Sequence, residues 1–229
     1  LTADAATPKK RLTSQFLSEP MPKITDAKKE TRRQQILDAA LRCFSRDGFH
    51  GTTTADIVRE SGVSQGTLYL YFATKDDIVV ALADDRHQGE AFLSALAQSE
   101  PDPLQGLMLM LELYGKSLTD RRRLDQRRVG IQGWAEALRN PRIHASAVEG
   151  LASVRMALAG LIEKGRQSGQ IRPDADADAV ARLLIAVFQG LMLQISWGEP
   201  VDLHATGQTI RGMLRGALFA DASAADPPF

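Results

Sequence analysis

The sequence predicts an all-α fold of roughly nine or ten helices. Three observations carry this. Apolar residues recur at helical intervals along most of the chain, as one buried helix face requires. No segment alternates apolar and polar residues in the manner of a half-buried strand. Ser, Thr, Asp or Asn stands before several periodic runs and Gly or Pro after them, which marks helix starts and stops.

Residues 1–22 hold three Pro, scattered Ala, Thr and Ser, and the basic patch Lys9, Lys10 and Arg11, without a sustained period. A flexible basic arm over residues 1–27 is expected. From Lys28 the period appears: Ile36, Ala40, Cys43 and Phe44 share a face, and the first helix is expected to end at Gly48, a residue suited to a left-handed cap. Thr53 precedes a short helix, Thr54 to Ser61, with Asp56 placed to complete a capping box. Gly62 gives the backbone freedom for a tight turn, and Ser64 can cap a second short helix, Gln65 to Tyr71. Ile57, Val58, Val63, Leu68 and Phe72 can pack on the first helix, which leaves Gln65, Thr67, Tyr69 and Tyr71 to face outward.

Thr74 caps a longer helix whose first turn carries Asp76 and Asp77, the charge sign that the helix dipole favours there. Past Pro101 and Pro103, Leu104, Leu107, Met108, Leu111 and Leu118 keep helical spacing. A helix from Val129 to Leu138 is stopped by Asn140 and Pro141. Ile143 to Gln167 is long and rich in small residues, and Asp176 to Trp197 is the most apolar run. Gly198, Glu199 and Pro200 end it before a last helix from about Asp202 to Phe219, and residues 220–229 read as a frayed tail.

With 229 residues, 44% of them hydrophobic, the chain can bury a real core. No run of about 18 apolar residues occurs and residues 1–23 contain no apolar leader, so a soluble cytoplasmic protein without a membrane span is expected. The single cysteine, Cys43, excludes an internal disulfide and reads as a core thiol. Net charge is zero, but residues 1–75 carry 12 Lys+Arg against 8 Asp+Glu, and residues 76–229 carry 16 against 20. A mildly basic head thus precedes a mildly acidic body, the polarity expected if only the head meets phosphates. Catalytic signatures such as His-Glu-x-x-His and Gly-x-Ser-x-Gly are missing. Gly160 to Gly165 has phosphate-loop spacing but continues as Arg166-Gln167 within a helical pattern. His50, His87, His144 and His204 are widely scattered, so no catalytic residue, metal or cofactor is assigned.

The segments Gly48-Phe-His-Gly-Thr-Thr53, Asp56-Ile-Val58, Ser61-Gly-Val-Ser-Gln-Gly-Thr-Leu-Tyr-Leu-Tyr-Phe72 and Thr74-Lys-Asp-Asp77 together resemble the TetR family of bacterial regulators. The resemblance covers about residues 28–82; further on, only the helical character, the length and the stretch Trp134-Ala-Glu-Ala-Leu-Arg-Asn-Pro141 are similar. It implies an N-terminal three-helix helix-turn-helix DNA-binding domain over residues 28–75 and a C-terminal helical effector-binding and dimerisation domain over residues 76–219. A repressor released from a near-palindromic operator by a small-molecule effector is then expected. Alternatives are a DNA-binding regulator controlled by a protein partner or by abundance, and, further off, a helical enzyme.

A helix-turn-helix lays the start of its second helix against base edges in the major groove. Here those residues are Ser64, Gln65, Gly66 and Thr67. Gln65 can pair bidentately with adenine, Thr67 can contact an edge or a thymine methyl, and Gly66 allows close backbone approach. The resemblance implies that Thr53, Tyr69, Tyr71 and Lys75 hold phosphates, and Thr54 joins the DNA-contacting set. Thr53 and Ser64 would be caps in any helical protein, and Tyr69 could pack in the core. Lys28, Lys29, Arg32 and Arg33 supply flanking cations, and Lys9, Lys10, Arg11 and Lys23 are either minor-groove contacts or solvated arm charges.

The small residues of the helices at about 145–167 and 176–197 suit a four-helix interface between two copies, or close packing within one chain. Met108, Leu111, Tyr114, Trp134, His144, Phe188, Gln189 and Met192 are candidate effector contacts, with plain core as the other reading. The run Arg121-Arg-Arg-Leu-Asp-Gln-Arg-Arg128 is either a solvated face or an anion site, with Arg127 and Arg128 its candidate contacts.

Overall fold

The computed structural model describes residues 26–120 and 123–218. Residues 1–25 of the expected arm, with Lys9, Lys10, Arg11 and Lys23, lie outside the described residues, as do Arg121, Arg122 and the tail, while Asp26 and Ala27 already belong to the first helix. Among the described residues the chain forms nine α-helices. The first four are α1 (Asp26–Gly51), α2 (Thr54–Ser61), α3 (Gln65–Tyr71) and α4 (Lys75–Gln98). They are followed by α5 (Pro103–Thr119), α6 (Leu124–Ala137), α7 (Pro141–Gln167), α8 (Ala177–Ser196) and α9 (Leu203–Leu218).

Two apolar cores organise these helices. The first joins Ile36, Leu37, Ala40, Cys43 and Phe44 of α1 to Ile57, Val63, Leu68 and Phe72, and takes in Ile78 of α4 and Ile143 of α7. Full burial of Leu68 fixes which side of α3 faces inward, a contribution of about 1.5–3 kcal/mol for such a side chain. The second core gathers Ala97, Leu107, Met110, Leu158, Leu161, Ile162 and Leu184 from the far end of α4 and from α5, α7 and α8, with Ile171 from the connection between α7 and α8. Helix α7 is central: it packs on α4, α5, α6 and α8. By length and composition α7 and α8 could each cross a membrane. Apolar as it is, α8 buries only Ala181, Leu184 and Met192.

Two helix bounds differ by more than two residues from the sequence expectation. The first helix continues past Gly48 to Gly51, bent where Gly48 takes a φ of +76°. The left-handed residue makes a kink rather than an end because one more turn follows, with the Thr52 amide closing on the Gly48 carbonyl. Helix α6 begins at Leu124 rather than Val129, so much of the basic run is its first turns, with Asp125 at the favourable end of the dipole.

Candidate functional site

The α2–α3 unit is assembled by caps that its own sequence supplies. The Thr53 hydroxyl accepts from the Asp56 amide while the Asp56 carboxylate accepts from the Thr53 amide at 2.9 Å. The Thr53 hydroxyl also donates to that carboxylate at 2.6 Å, and this bond, then the Thr53 amide and the Arg59 contact, lower the Asp56 pKa to about 2. Gly62, with a φ of +70°, closes α2 by donating to the Val58 carbonyl, and Gln35 of α1 donates to the Ser61 carbonyl at 2.6 Å. Ser64 then caps α3 by accepting from the Thr67 amide, with the Ser64 and Thr67 hydroxyls 2.8 Å apart. The result is a short turn that presents the start of α3.

Ser64, Gln65 and Gly66 are exposed there, and Thr67 is half-buried. Tyr69 is also exposed; its phenol lies 3.4 Å from the Thr54 hydroxyl, and hydrogen bonds from Thr54 and Gln65 hold it below the usual phenol range. Thr53 is exposed and Thr54 half-buried at the start of α2, so seven residues of the expected DNA-contacting set lie around one turn. Leu70, 84% exposed beside Tyr69, was missed by sequence reasoning, since it lies in the apolar and aromatic run Leu68 to Phe72, where composition does not mark which residue turns outward.

Two of the expected contacts sit differently. Tyr71 does not face fully outward: its ring packs on the first core, because it follows Leu68 by three residues and so shares its face. The Lys75 ammonium donates to the Phe49 and Thr52 carbonyls at 2.7 and 3.0 Å and lies 4.5 Å from the centre of the Phe49 ring. It therefore pins the end of α1 to the start of α4. Of the flanking cations, Arg33 is turned to Asp85 of α4 at 3.1 Å, while Lys28 and Arg32 are exposed.

The body holds a cavity of about 1130 Å³. Met108, Leu111, Tyr114, Trp134 and Phe188 line it, with Gln189, Met192, His144 and Arg127. Tyr114 and Phe188 meet edge to face at 5.2 Å. Arg128 is not among the lining residues and is exposed, since one step along α6 turns it away from Arg127. The Tyr114 hydroxyl is buried without a hydrogen-bond partner, and burial, then the Glu90 charge, pushes its phenol upward. The volume exceeds the ordinary range for small-ligand pockets, so a sizeable apolar molecule fits.

Helix α6 borders the cavity and also bonds to the head, and Gln34, Asp38 and Leu41 of α1 line the cavity as well. On α6, Arg127, Gly130, Gly133 and Trp134 border the cavity. From the same helix, Asp125 accepts from the Ser45 hydroxyl at 2.5 Å and Gln132 bridges the Phe49 amide and the Phe44 carbonyl at 3.0 and 3.2 Å. Glu136 lies 2.7 Å from the His50 ring. At the start of α7, Asn140 donates to Asp76 and Arg142 to Asp77, each at 2.6 Å.

Comparison with known proteins bears on both parts. The family model "Bacterial regulatory proteins, tetR family" matches residues 36–82, and "BetI-type transcriptional repressor, C-terminal" matches residues 103–219. The chain is 28% identical over 191 residues to the HTH-type transcriptional regulator UidR of Escherichia coli K12, covering 82% of this chain and 93% of the relative. It is 29% identical over 208 residues to the HTH-type transcriptional repressor Rv1474c of Mycobacterium tuberculosis, covering 85% and 99%. A solved regulator from Saccharomonospora viridis in complex with choline superposes with a TM-score of 0.69 at 27% identity, covering 83% of this chain and 98% of that one.

Proposed function

Since the chain belongs to the TetR family of bacterial transcriptional regulators, we propose that it is a cytoplasmic repressor that binds its operator as a homodimer and is released by a small molecule bound in the body cavity. The observation that carries the DNA reading is the exposed, capped start of α3, where Ser64, Gln65 and Gly66 stand clear of the core. In the major groove Gln65 reads a base edge, and Thr53, Thr54, Tyr69 and the exposed cations hold phosphates. Lys75 keeps the head together, with its remaining ammonium proton available to a phosphate. One head alone binds weakly, and two heads related by a twofold axis engage half-sites about 34–36 Å apart.

The second copy covers α8 together with part of α7: Met156 and Leu183 are exposed on these two helices, and the burial of so apolar a helix as α8 is incomplete in one chain. The cavity residues Met108, Leu111, Tyr114, Trp134, Phe188 and Met192 hold the effector's apolar body. Effector control is supported by the choline-bound relative and by the cavity itself. Release of DNA follows when the effector favours one setting of α6, because the Gln132, Asp125 and Glu136 contacts carry that setting to α1; the effector must bind the two settings with different affinity.

A gel shift on the DNA upstream of the protein's own gene tests this reading. The parent is expected to retard that fragment and Gln65→Ala to do so more weakly; equal retardation by both, or retardation of every fragment alike, rejects it.

A further inference from the structure

Helix α3 turns one large apolar side chain outward on the side that would enter a groove. Leu68 is fully buried and fixes the inward direction of the helix. At about 100° per residue, Gly66 and Leu70 both lie across the helix from Leu68, one turn apart and within about 40° of each other around the axis. Leu70 is 84% exposed, and a side-chain carbon placed on Gly66 would meet nothing within 4 Å. The middle of the outward face is therefore a bare stretch of backbone at Gly66 followed by an apolar side chain at Leu70.

Gln65 and Tyr69 run along one flank of that face, with the Tyr69 phenol 3.4 Å from the Thr54 hydroxyl of α2. Their polar groups suit phosphate oxygens and polar base edges. Leu70 has no donor or acceptor and can hold neither. It also takes no part in the head's core, which lies on the opposite side of the helix. A single exposed leucine is ordinary on a protein surface, but this one occupies the face that a major groove would cover. The apolar group that base edges present in the major groove is the C5 methyl of thymine, whereas phosphates and sugars form the groove walls and are met from the flanks of the helix.

We propose that Leu70 is a specificity-determining residue that reads thymine: its side chain packs on the C5 methyl of one thymine in each half-site, and Gly66 lets the helix sit deep enough for that contact. This rests on the reading of α3 as the helix that enters the major groove. Cytosine at that place would set the leucine against an amino group, and a purine would set it against polar edge atoms.

A duplex enriched by the full chain from a randomised pool tests the proposal in two forms, as selected and with deoxyuridine in place of every thymidine. The replacement removes the methyl and keeps every hydrogen-bonding edge. The parent is expected to bind the thymine form about three-fold or more tightly, the worth of one buried methyl group. Leu70→Ala should lose most of this preference, and the ratio of the two affinities is independent of how much of the variant is folded. Thr67→Ser drops the Thr67 methyl but keeps its hydroxyl, and should retain the preference. Single replacements of thymidine by deoxyuridine should then trace the effect to one base in each half-site. If the parent binds both forms alike, or the enriched site has no thymine at a fixed place in each half, the thymine assignment is wrong while the major-groove reading of α3 stands. A preference that survives Leu70→Ala, or that disappears in Thr67→Ser, also overturns the assignment. Enrichment of no sequence overturns both readings.

Discussion

Gln65 stands at the exposed end of α3 with the Ser64 cap behind it, so its amide can reach a base edge without disturbing the helix. Gln65→Ala is expected to cost about 1–3 kcal/mol at the preferred base pair and to flatten the preference there. Competition binding against duplexes altered one position at a time measures this. Lys75 carries a different expectation. Its two carbonyl partners and the Phe49 ring make it a fastener, so Lys75→Met should lower the unfolding free energy by about 1–3 kcal/mol, read by urea denaturation. An unchanged denaturation midpoint with weakened DNA binding would restore it to a phosphate contact alone. The caps at Thr53, Ser64 and Thr74 were legible in the sequence because each bonds to a backbone group three residues away. The role of Lys75 was not, because its partners lie 23 and 26 residues back along the chain.

At the level of elements, α2 depends on an ionised Asp56. Its carboxyl is depressed from 3.8 to about 2 by the Thr53 bonds and then Arg59, so its contribution to stability is complete above the unfolded value and is lost as pH falls through the folded one. The denaturation midpoints of the parent and Asp56→Asn should therefore differ at about pH 6 and converge near about pH 2. Helix α5 makes a second expectation. An alanine inside a helix ordinarily stabilises it relative to glycine, but a side-chain carbon on Gly106 would lie 2.5 Å from the Ala97 carbonyl oxygen and 2.9 Å from Leu161. Gly106→Ala should destabilise the protein by about 1–3 kcal/mol, seen as a lower melting temperature. The sequence shows the apolar period of α5 but not this close approach, which arises only when α4 and α5 are packed. The start of α6 was missed for a related reason: the charges that turn outward from it hide the period, while the one that turns inward, Arg127, is buried against carbonyls rather than apolar groups.

For the whole molecule, the all-α class and the order of helices were legible because caps and periods are local. The cavity was legible only as a set of candidates, since wall residues and core residues share one apolar period, as the wall residue Met108 and the core residue Leu107 of α5 illustrate. The assembly is tested through α8. Sedimentation should give twice the mass of one chain, and Leu183→Glu, at an exposed apolar position, should shift that mass toward one chain; a parent that sediments as a single chain rejects the dimer. Two heads on a twofold axis make the most direct prediction of all. Selection of bound duplexes from a randomised pool should enrich a near-palindrome whose half-sites lie about 10 base pairs, or a multiple of that, apart, with the preference at one position in each half lost in Gln65→Ala. Enrichment of no sequence, or of the same sequence by both proteins, would contradict the account.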